Sequence, residues 1–353
     1  MTNKSKLTLL VDGNWLLMSR LAVISGRYPD INELNRELKL LMIRSINLVL
    51  RTFPQIDNII FVADGGSWRN TEVPIPQFLQ NEGIEYKGNR EHSDDIDWDV
   101  IFTGYEDFLN IVSENGVTVC REKMIEGDDW CWWWSTYLNS QGTNVIIWSK
   151  DKDLTQLVNT DNDGCFTVCW NKENGITCLD KDEDDFNFLF NNDFSENNTI
   201  FHNICNKSIN VNKIDPKTVC IDKIIRGDLG DNILPIIVKK PKSENSSRQY
   251  RVSQKDIDNS LNVFNDNDVR LYINNLCESK TYKNRANDRT PDEIFEHFKY
   301  NRKLVILNEV SYPSNILDIM KKYTEYNMCK DLSEAEHIIA AKRSELTDIL
   351  DLI

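Results

Sequence analysis

Leu7-Thr8-Leu9-Leu10-Val11-Asp12-Gly13-Asn14 decides the fold. A short β run, Leu7 to Val11, ends in a carboxylate, and a helical pattern then runs through Arg20. The unit recurs. Asn58 to Ala63 reads as a second strand ending at Asp64, Val117 to Cys120 as a third, and Asn144 to Ser149 as a fourth, ending before Lys150-Asp151. Helical spacing fills the intervals. It is seen in Leu34 to Arg51 (Leu38, Leu41, Met42, Ser45, Leu48, Val49), in Glu106 to Asn115 and in Asp128 to Gln141. Strands alternating with helices predict an α/β fold with a mainly parallel sheet. Ligands of such sheets bind at the carboxyl ends of the strands, so Asp12, Asp64 and Asp151 should converge.

At 353 residues the chain can bury a large core in one or two domains. Hydrophobic content of 40% and charged content of 27% are ordinary for a soluble globular protein. No apolar run approaches a membrane span, and Met1 to Lys6 is short and polar, which argues against a signal peptide. Nine scattered Cys and four His offer no zinc spacing, so reduced thiols and a cytoplasmic location are expected. The net charge of −15 argues against a nucleic-acid binder taken as an average. It conceals a basic stretch. Residues 239–255 hold Lys239, Lys240, Lys242, Arg248, Arg251 and Lys255 against the single acid Glu244.

Acidic clusters explain much of the excess charge. Besides Asp12, Asp64 and Asp151-Lys152-Asp153, they include Glu126-Gly127-Asp128-Asp129 and Gly227-Asp228-Leu229-Gly230-Asp231-Asn232. Each also has a plain reading. An Asp after a strand is often a helix N-cap, and first-turn acids suit the helix dipole. Three carboxylates in four residues exceed what capping needs. Asp228 and Asp231 would share a face if helical, and the flanking glycines permit a tight turn. Carboxylates gathered in one place need cations, and hard oxygen donors without Cys or His suit Mg²⁺ or Mn²⁺. Two such ions form a standard apparatus for phosphodiester cleavage, so the residues point to a metal-dependent nuclease. Tyr86-Lys87-Gly88-Asn89-Arg90, with Arg69 upstream, is a short basic segment suited to holding a phosphate. Trp130, Trp133, Trp134 and Tyr137 follow helical spacing and are expected to pack a helix on the sheet rather than stack on bases.

Phe166 to Trp170 reads as a further strand, turned at Asn174-Gly175 into Ile176 to Leu179. Asp182 to Asn198 is acidic and Asn-rich and reads as a boundary, and from Asp215 the pattern is mostly helical.

Together these residues resemble the 5′→3′ exonuclease and flap endonuclease family. The motif order matches over roughly residues 7 to 330. Its signatures look like Ile125-Glu126-Gly127-Asp128-Asp129, Ile225-Arg226-Gly227-Asp228-Leu229-Gly230-Asp231-Asn232-Ile233 and the 86–90 segment. Tyr300-Asn301-Arg302-Lys303-Leu304-Val305-Ile306-Leu307, followed by Tyr312-Pro313-Ser314-Asn315-Ile316, is similar to the tail of RNase H enzymes of T-even phages. The resemblance implies a PIN-like (resolvase-like) catalytic domain over 1–200, with an arch or clamp about 86–108. It implies a helical, helix–turn–helix-type DNA-binding domain over 201–353 that completes the metal site. It implies two Mg²⁺, with Mn²⁺ able to substitute. Asp12, Asp64, Glu126 and Asp128 or Asp129 would hold the first ion, and Asp151, Asp153, Asp228 and Asp231 the second. Lys87 and Arg90 would contact the scissile phosphate, and Arg69, Lys239, Lys240, Lys242, Arg248 and Arg251 the nucleic acid. The implied substrates are DNA and RNA/DNA hybrids with 5′ ends or flaps, as in primer removal during phage DNA replication in the host cytoplasm. Implied partners are a single-strand-binding protein or sliding clamp, with no membrane.

Two features depart from the family. Leu234-Pro235-Ile236-Ile237-Val238-Lys239-Lys240 stands where many relatives have a Gly-rich hairpin, and the arch region carries Asp94, Asp95, Asp97 and Asp99, which would repel a threaded strand. The rival reading is a PIN-type ribonuclease acting on single-stranded RNA. It would keep Asp12, Asp64 and Asp151 but would not need the Gly227 to Asn232 string.

Overall fold

A computed structural model describes residues 6–80, 85–89, 96–160, 164–180, 196–237, 252–253, 257–279 and 289–328. The chain forms two compact units. One comprises Met1–Gly66, His92–Ile214 and Ser314–Ile353, the other Ser67–Glu91 and Asp215–Pro313. The division is therefore discontinuous, where the sequence suggested a single break after residue 200.

The first unit is built on one sheet of strands β1 (Lys6–Asp12), β2 (Asn58–Val62), β3 (Thr118–Cys120), β4 (Thr143–Trp148), β5 (Asn159–Thr160), β6 (Phe166–Asn171), β7 (Gly175–Leu179) and β8 (Val211–Ile214). The order is β3-β2-β1-β4-β6-β7-β8, with β5 alongside β6. Pairings are parallel except β5–β6 and β6–β7. All of β4 and all but the first residue of β1 are buried. That is why these strands read as continuous apolar runs: both faces of the sheet are covered.

Helices α1 (Gly13–Ile24), α2 (Ile31–Thr52), α3 (Trp98–Glu114), α4 (Gly127–Ser140) and α5 (Glu196–Asn206) cover the sheet. Leu7, Leu9 and Val11 share one core with Leu16, Leu38, Phe61 and Phe108. Each large side chain buried there contributes about 1.5–3 kcal/mol. Side chains alternate along a strand, so Thr8, Leu10 and Asp12 point to the other face, where α4 packs against β1, β2 and β4. The helix Ser314–Met328 returns to this face. The Tyr323 ring lies 5.1 Å from Trp130, its hydroxyl donates to the Val119 carbonyl, and Trp133 Nε1 donates to Thr324 Oγ1 at 2.7 Å. Trp130 and Trp134 are buried, as helical spacing predicts, and Trp132 joins them.

Helix α3 takes up part of the segment expected as an arch, of which residues 90–95 lie outside the described residues. Ile101, Tyr105, Phe108 and Leu109 are buried, and Asp97 caps the helix by accepting from Val100 N at 3.3 Å. The stretch 98–108 is core because its apolar residues fall at helical spacing against α2. Strand β8 and helix α5, unread in the sequence, extend the sheet beyond β7.

The second unit contains α6 (Pro216–Arg226), α7 (Asp266–Glu278) and α8 (Pro291–Val305), with short helices Arg69–Glu72 and Gln77–Gln80. Helix α8 packs on both α6 and α7. Its start is specified by a capping box between Thr290 and Glu293 with Pro291 in the first turn.

Candidate metal centre

Asp12 closes β1 and caps α1. Its Oδ1 accepts from Trp15 N at 3.0 Å and its Oδ2 from Ser149 Oγ at 2.7 Å. The turn into α1 needs glycine at 13, since a Cβ there would lie 2.3 Å from the Tyr105 hydroxyl and 2.8 Å from the Val62 carbonyl. Burial pushes the Asp12 carboxyl up to about 7. The Trp15 and Ser149 bonds oppose the rise, and the neighbouring charges that reach it, those of Asp64 and Asp151, are both negative and add to it.

Asp64 follows β2 and ties three segments together. Its Oδ2 accepts from Asn14 Nδ2 at 2.6 Å, and its Oδ1 from Gly127 N at 2.6 Å, the first amide of α4. The Asp64 amide donates back to Asn14 Oδ1 at 3.2 Å, and Tyr105 Oη donates to the same atom at 3.5 Å. A carboxylate oxygen has two acceptor sites, so each keeps capacity for a cation beside these bonds.

The acids opening α4 divide the work. Glu126 is buried at the N-cap. Asp129 is fully buried, and its Oδ2 accepts from Glu126 N at 3.0 Å, closing a capping box. Its carboxylate is thus committed to the helix start. Asp128, one residue earlier and about 100° around the helix, is half-buried. The buried Cys131 thiol lies within reach of the Asp128 charge. It is raised first by burial and then by the charges of Asp12 and Asp128, and also by that of Asp151.

Asp151 is exposed after β4. Its amide donates to Ser149 Oγ at 3.0 Å, and its Oδ1 accepts from Asp153 N at 2.8 Å, starting the 3₁₀ turn Asp153–Leu157. Ser149 thus bridges the Asp12 carboxylate and the Asp151 backbone. Ser149 and Asn14 are the positioning residues that sequence reading passed over. The only signal was their adjacency to the strand-end acids.

In the second unit, Gly227 to Asn232 is a tight turn rather than a helix. Asp228 N donates to Ile233 O at 2.8 Å and Ile233 N to Asp228 O at 2.7 Å. Gly227 has φ +68, and a Cβ there would sit 2.3 Å from the Ile233 carbonyl oxygen, so glycine is required. Asp228 Oδ2 pairs with Lys223 Nζ at 2.5 Å, and Oδ1 accepts from Gly230 N at 2.8 Å. Burial acts to raise its pKa, but the Lys223 bond and charge, with the turn amides, outweigh it and lower the carboxyl below its usual value. The Lys87 segment is bonded to this turn. Lys87 N donates to Asp231 O at 2.9 Å, Asn89 Nδ2 to Leu229 O at 2.8 Å and Asn232 Nδ2 to Glu85 O at 2.8 Å. Lys87 itself has φ +58, left-handed backbone that a non-glycine residue adopts only under constraint. Buried Asn301 braces the turn by donating to Ile224 O at 2.9 Å and Leu234 O at 2.8 Å.

Arg69 requires a correction. It is 2% exposed, its Nε donates to Leu304 O at 2.9 Å, and its guanidinium lies 4.6 Å from the centre of the Trp68 ring. A guanidinium stacks well on an indole, and this one serves the core of the second unit rather than a nucleic-acid surface. Arg90, Lys239, Lys240, Lys242, Arg248 and Arg251 lie outside the described residues.

The first-unit donor set, Asp12, Asp64, Glu126, Asp128, Asp151 and Asp153, consists of carboxylates alone. The buried Asp12 is surrounded by like charge, which a hard divalent cation would relieve. The residues fit such an ion.

No family model matches the sequence, and no curated protein matches it. Solved structures of bacteriophage T5 proteins do. A T5 protein co-crystallised with metal ions is 16% identical, with 92% of this chain and 98% of that chain covered and a TM-score of 0.54. The T5 flap endonuclease, in a pseudo-enzyme–product complex with DNA and metal ions, is 16% identical over 94% and 100%, with a TM-score of 0.53. The T5 5′-exonuclease with divalent zinc ions bound is 16% identical over 92% and 98%, with a TM-score of 0.52. The chain shares their fold, a mainly parallel PIN-like sheet flanked by helices with a helical C-terminal region.

Proposed function

We propose that this chain is a divalent-cation-dependent, structure-specific 5′→3′ exonuclease and flap endonuclease with RNase H activity. It would hydrolyse phosphodiesters at the 5′ ends of nicked, flapped or RNA-primed duplexes. The observation that carries the reading is the set of strand-end carboxylates around Asp12, held in place by Ser149, Asn14 and the start of α4 and reached by the negative charges of Asp64 and Asp151. The metal-bound and DNA-bound T5 proteins that share the fold support it.

The proposed ions are two Mg²⁺, with Mn²⁺ as substitute. When bound they supply Lewis acidity for water activation and for the departing 3′ oxygen. Asp12, Asp64, Glu126 and Asp128 are assigned to the first, and Asp151 and Asp153 to the second. Asp228 and Asp231 join the second on their motif, and Asp228 must then share its carboxylate with Lys223. Lys87 and Arg90 are assigned to the scissile phosphate, the strained backbone at Lys87 being consistent with a positioned contact. Lys239, Lys240, Lys242, Arg248 and Arg251 are assigned to duplex phosphates. Primer removal in phage replication in the host cytoplasm, with a single-strand-binding protein or clamp as partner, follows from the motif resemblance. Kinship with the T-even enzymes rests on the 300–316 segment.

The test is Mg²⁺-dependent cleavage of a 5′-labelled flap, a nicked duplex with an RNA 5′ end and single-stranded RNA, side by side. Short 5′ products from the first two are expected. Cleavage of single-stranded RNA alone would move the chain to the PIN ribonucleases. Neutralising Lys239, Lys240, Lys242 and Arg248 together should weaken duplex binding and flatten its salt dependence, and an unchanged slope would remove that stretch from the interface.

A further inference from the structure

A cavity of about 120 Å³ opens in the first unit between α1, α2 and the ends of β4 and β6. Three indoles line it: Trp15 is half-buried, Trp148 and Trp170 are buried, and Trp15 meets Trp148 nearly edge-on at 5.8 Å. Such a volume is far below that of a drug-sized site and suits one planar ring. The rim is basic in a chain that is strongly acidic. Arg20, Lys150 and Lys172 face one acid, Glu173. Glu173 is bonded to Lys150 and its charge also reaches Arg20, whose Nε is enclosed and has no hydrogen-bond partner among the described residues. A phosphate at this rim would accept charge-assisted hydrogen bonds from the lysine and guanidinium groups. Indole faces with adjacent cations are the chemistry that holds single nucleotides without sequence preference.

We propose that this cavity binds one nucleoside phosphate, free or as an unpaired residue of a strand, with the base among the indoles and the phosphate on Arg20 and Lys172. The strand source rests on the nuclease reading, whereas the pocket itself does not. It uses none of the strand-end carboxylates.

Calorimetric titration in EDTA, which prevents cleavage, tests the proposal. The probes are deoxyadenosine 5′-monophosphate, a single-stranded DNA tetramer, deoxyadenosine and inorganic phosphate. Saturable binding of the monophosphate, the tetramer or both is expected, each tighter than deoxyadenosine or phosphate. Whichever of the two binds identifies the source. Arg20→Gln should weaken binding about tenfold or more, the loss of one charge-assisted hydrogen bond. Leu48→Phe, at an exposed position lining the cavity, should block it while leaving the unfolding midpoint unchanged. Absence of binding, phosphate binding as tightly as the monophosphate, or binding that survives both variants would overturn the proposal. Cleavage of the nicked duplex is measured on the same preparation. Cleavage without nucleotide binding rejects the pocket, and binding without cleavage rejects the nuclease reading alone.

Discussion

Asp12 in the first unit and Asp228 in the second are both acids of the motif set, yet their surroundings are opposite. Asp12 is buried and reached by the negative charges of Asp64 and Asp151, and its carboxyl is pushed up to about 7. Asp228 is half-buried, carries its own cation in Lys223 and is lowered below the usual carboxylate range. A buried base of the second unit shifts the other way. His297 is driven down to about 3 by burial first and by the Arg289 charge second, with a backbone bond to Ile236 opposing. The described surroundings of Asp12 thus hold negative charge that an external cation can stabilise, whereas Asp228 already has a cation beside it.

The sharpest way to break this contrast is Asp151→Asn. The side chain is exposed, and Asn keeps the acceptor for Asp153 N, so the fold should persist. Cleavage should fall by roughly 10²–10³ or more, the scale of losing one preorganised electrostatic group, with duplex binding retained. Full turnover in Mg²⁺ would show the ligand assignment to be wrong.

The second effect is on stability against pH. In the unfolded chain His297 would titrate near 6.5, but the folded state refuses the proton until about pH 3. Between these values the unfolded state binds more protons, so stability falls as pH falls through that window, by roughly 5 kcal/mol at most from this residue. Denaturant titrations of wild type and His297→Gln from pH 7 to 4 should differ in slope, and parallel curves would remove His297 as the cause.

The smallest effect separates Asp228 from Asp12 directly. Lys223→Met leaves Asp228 without its cation and should cost about 1–2 kcal/mol by thermal unfolding, between an exposed and a buried ion pair. If divalent ions reach Asp228, the same variant should gain more thermal stability from Mg²⁺ than wild type does. An equal Mg²⁺ increment in both proteins would separate Asp228 from the cation.

The regular part of this architecture was legible because it depends on local pattern. Apolar runs ending in Asp marked β1, β2 and β4, and alternation with helices implied a parallel sheet whose strand ends gather Asp12, Asp64 and Asp151. The short α5 and β8 follow an acidic, Asn-rich run that read as a boundary, and nothing in Ser314–Met328 signals that it returns to the first unit. Residue type alone made Arg69 look like a surface cation, and stacking on Trp68 overruled that reading.

The sequence by itself determined the fold class and the strand-end carboxylates, since each follows from backbone geometry and period. The tertiary structure alone decided that Asp129 caps α4, that Ser149 and Asn14 hold Asp12 and Asp64, and that Lys223 neutralises Asp228. Those outcomes rest on which side chains meet after packing, and neighbours distant in the chain leave no trace in local spacing.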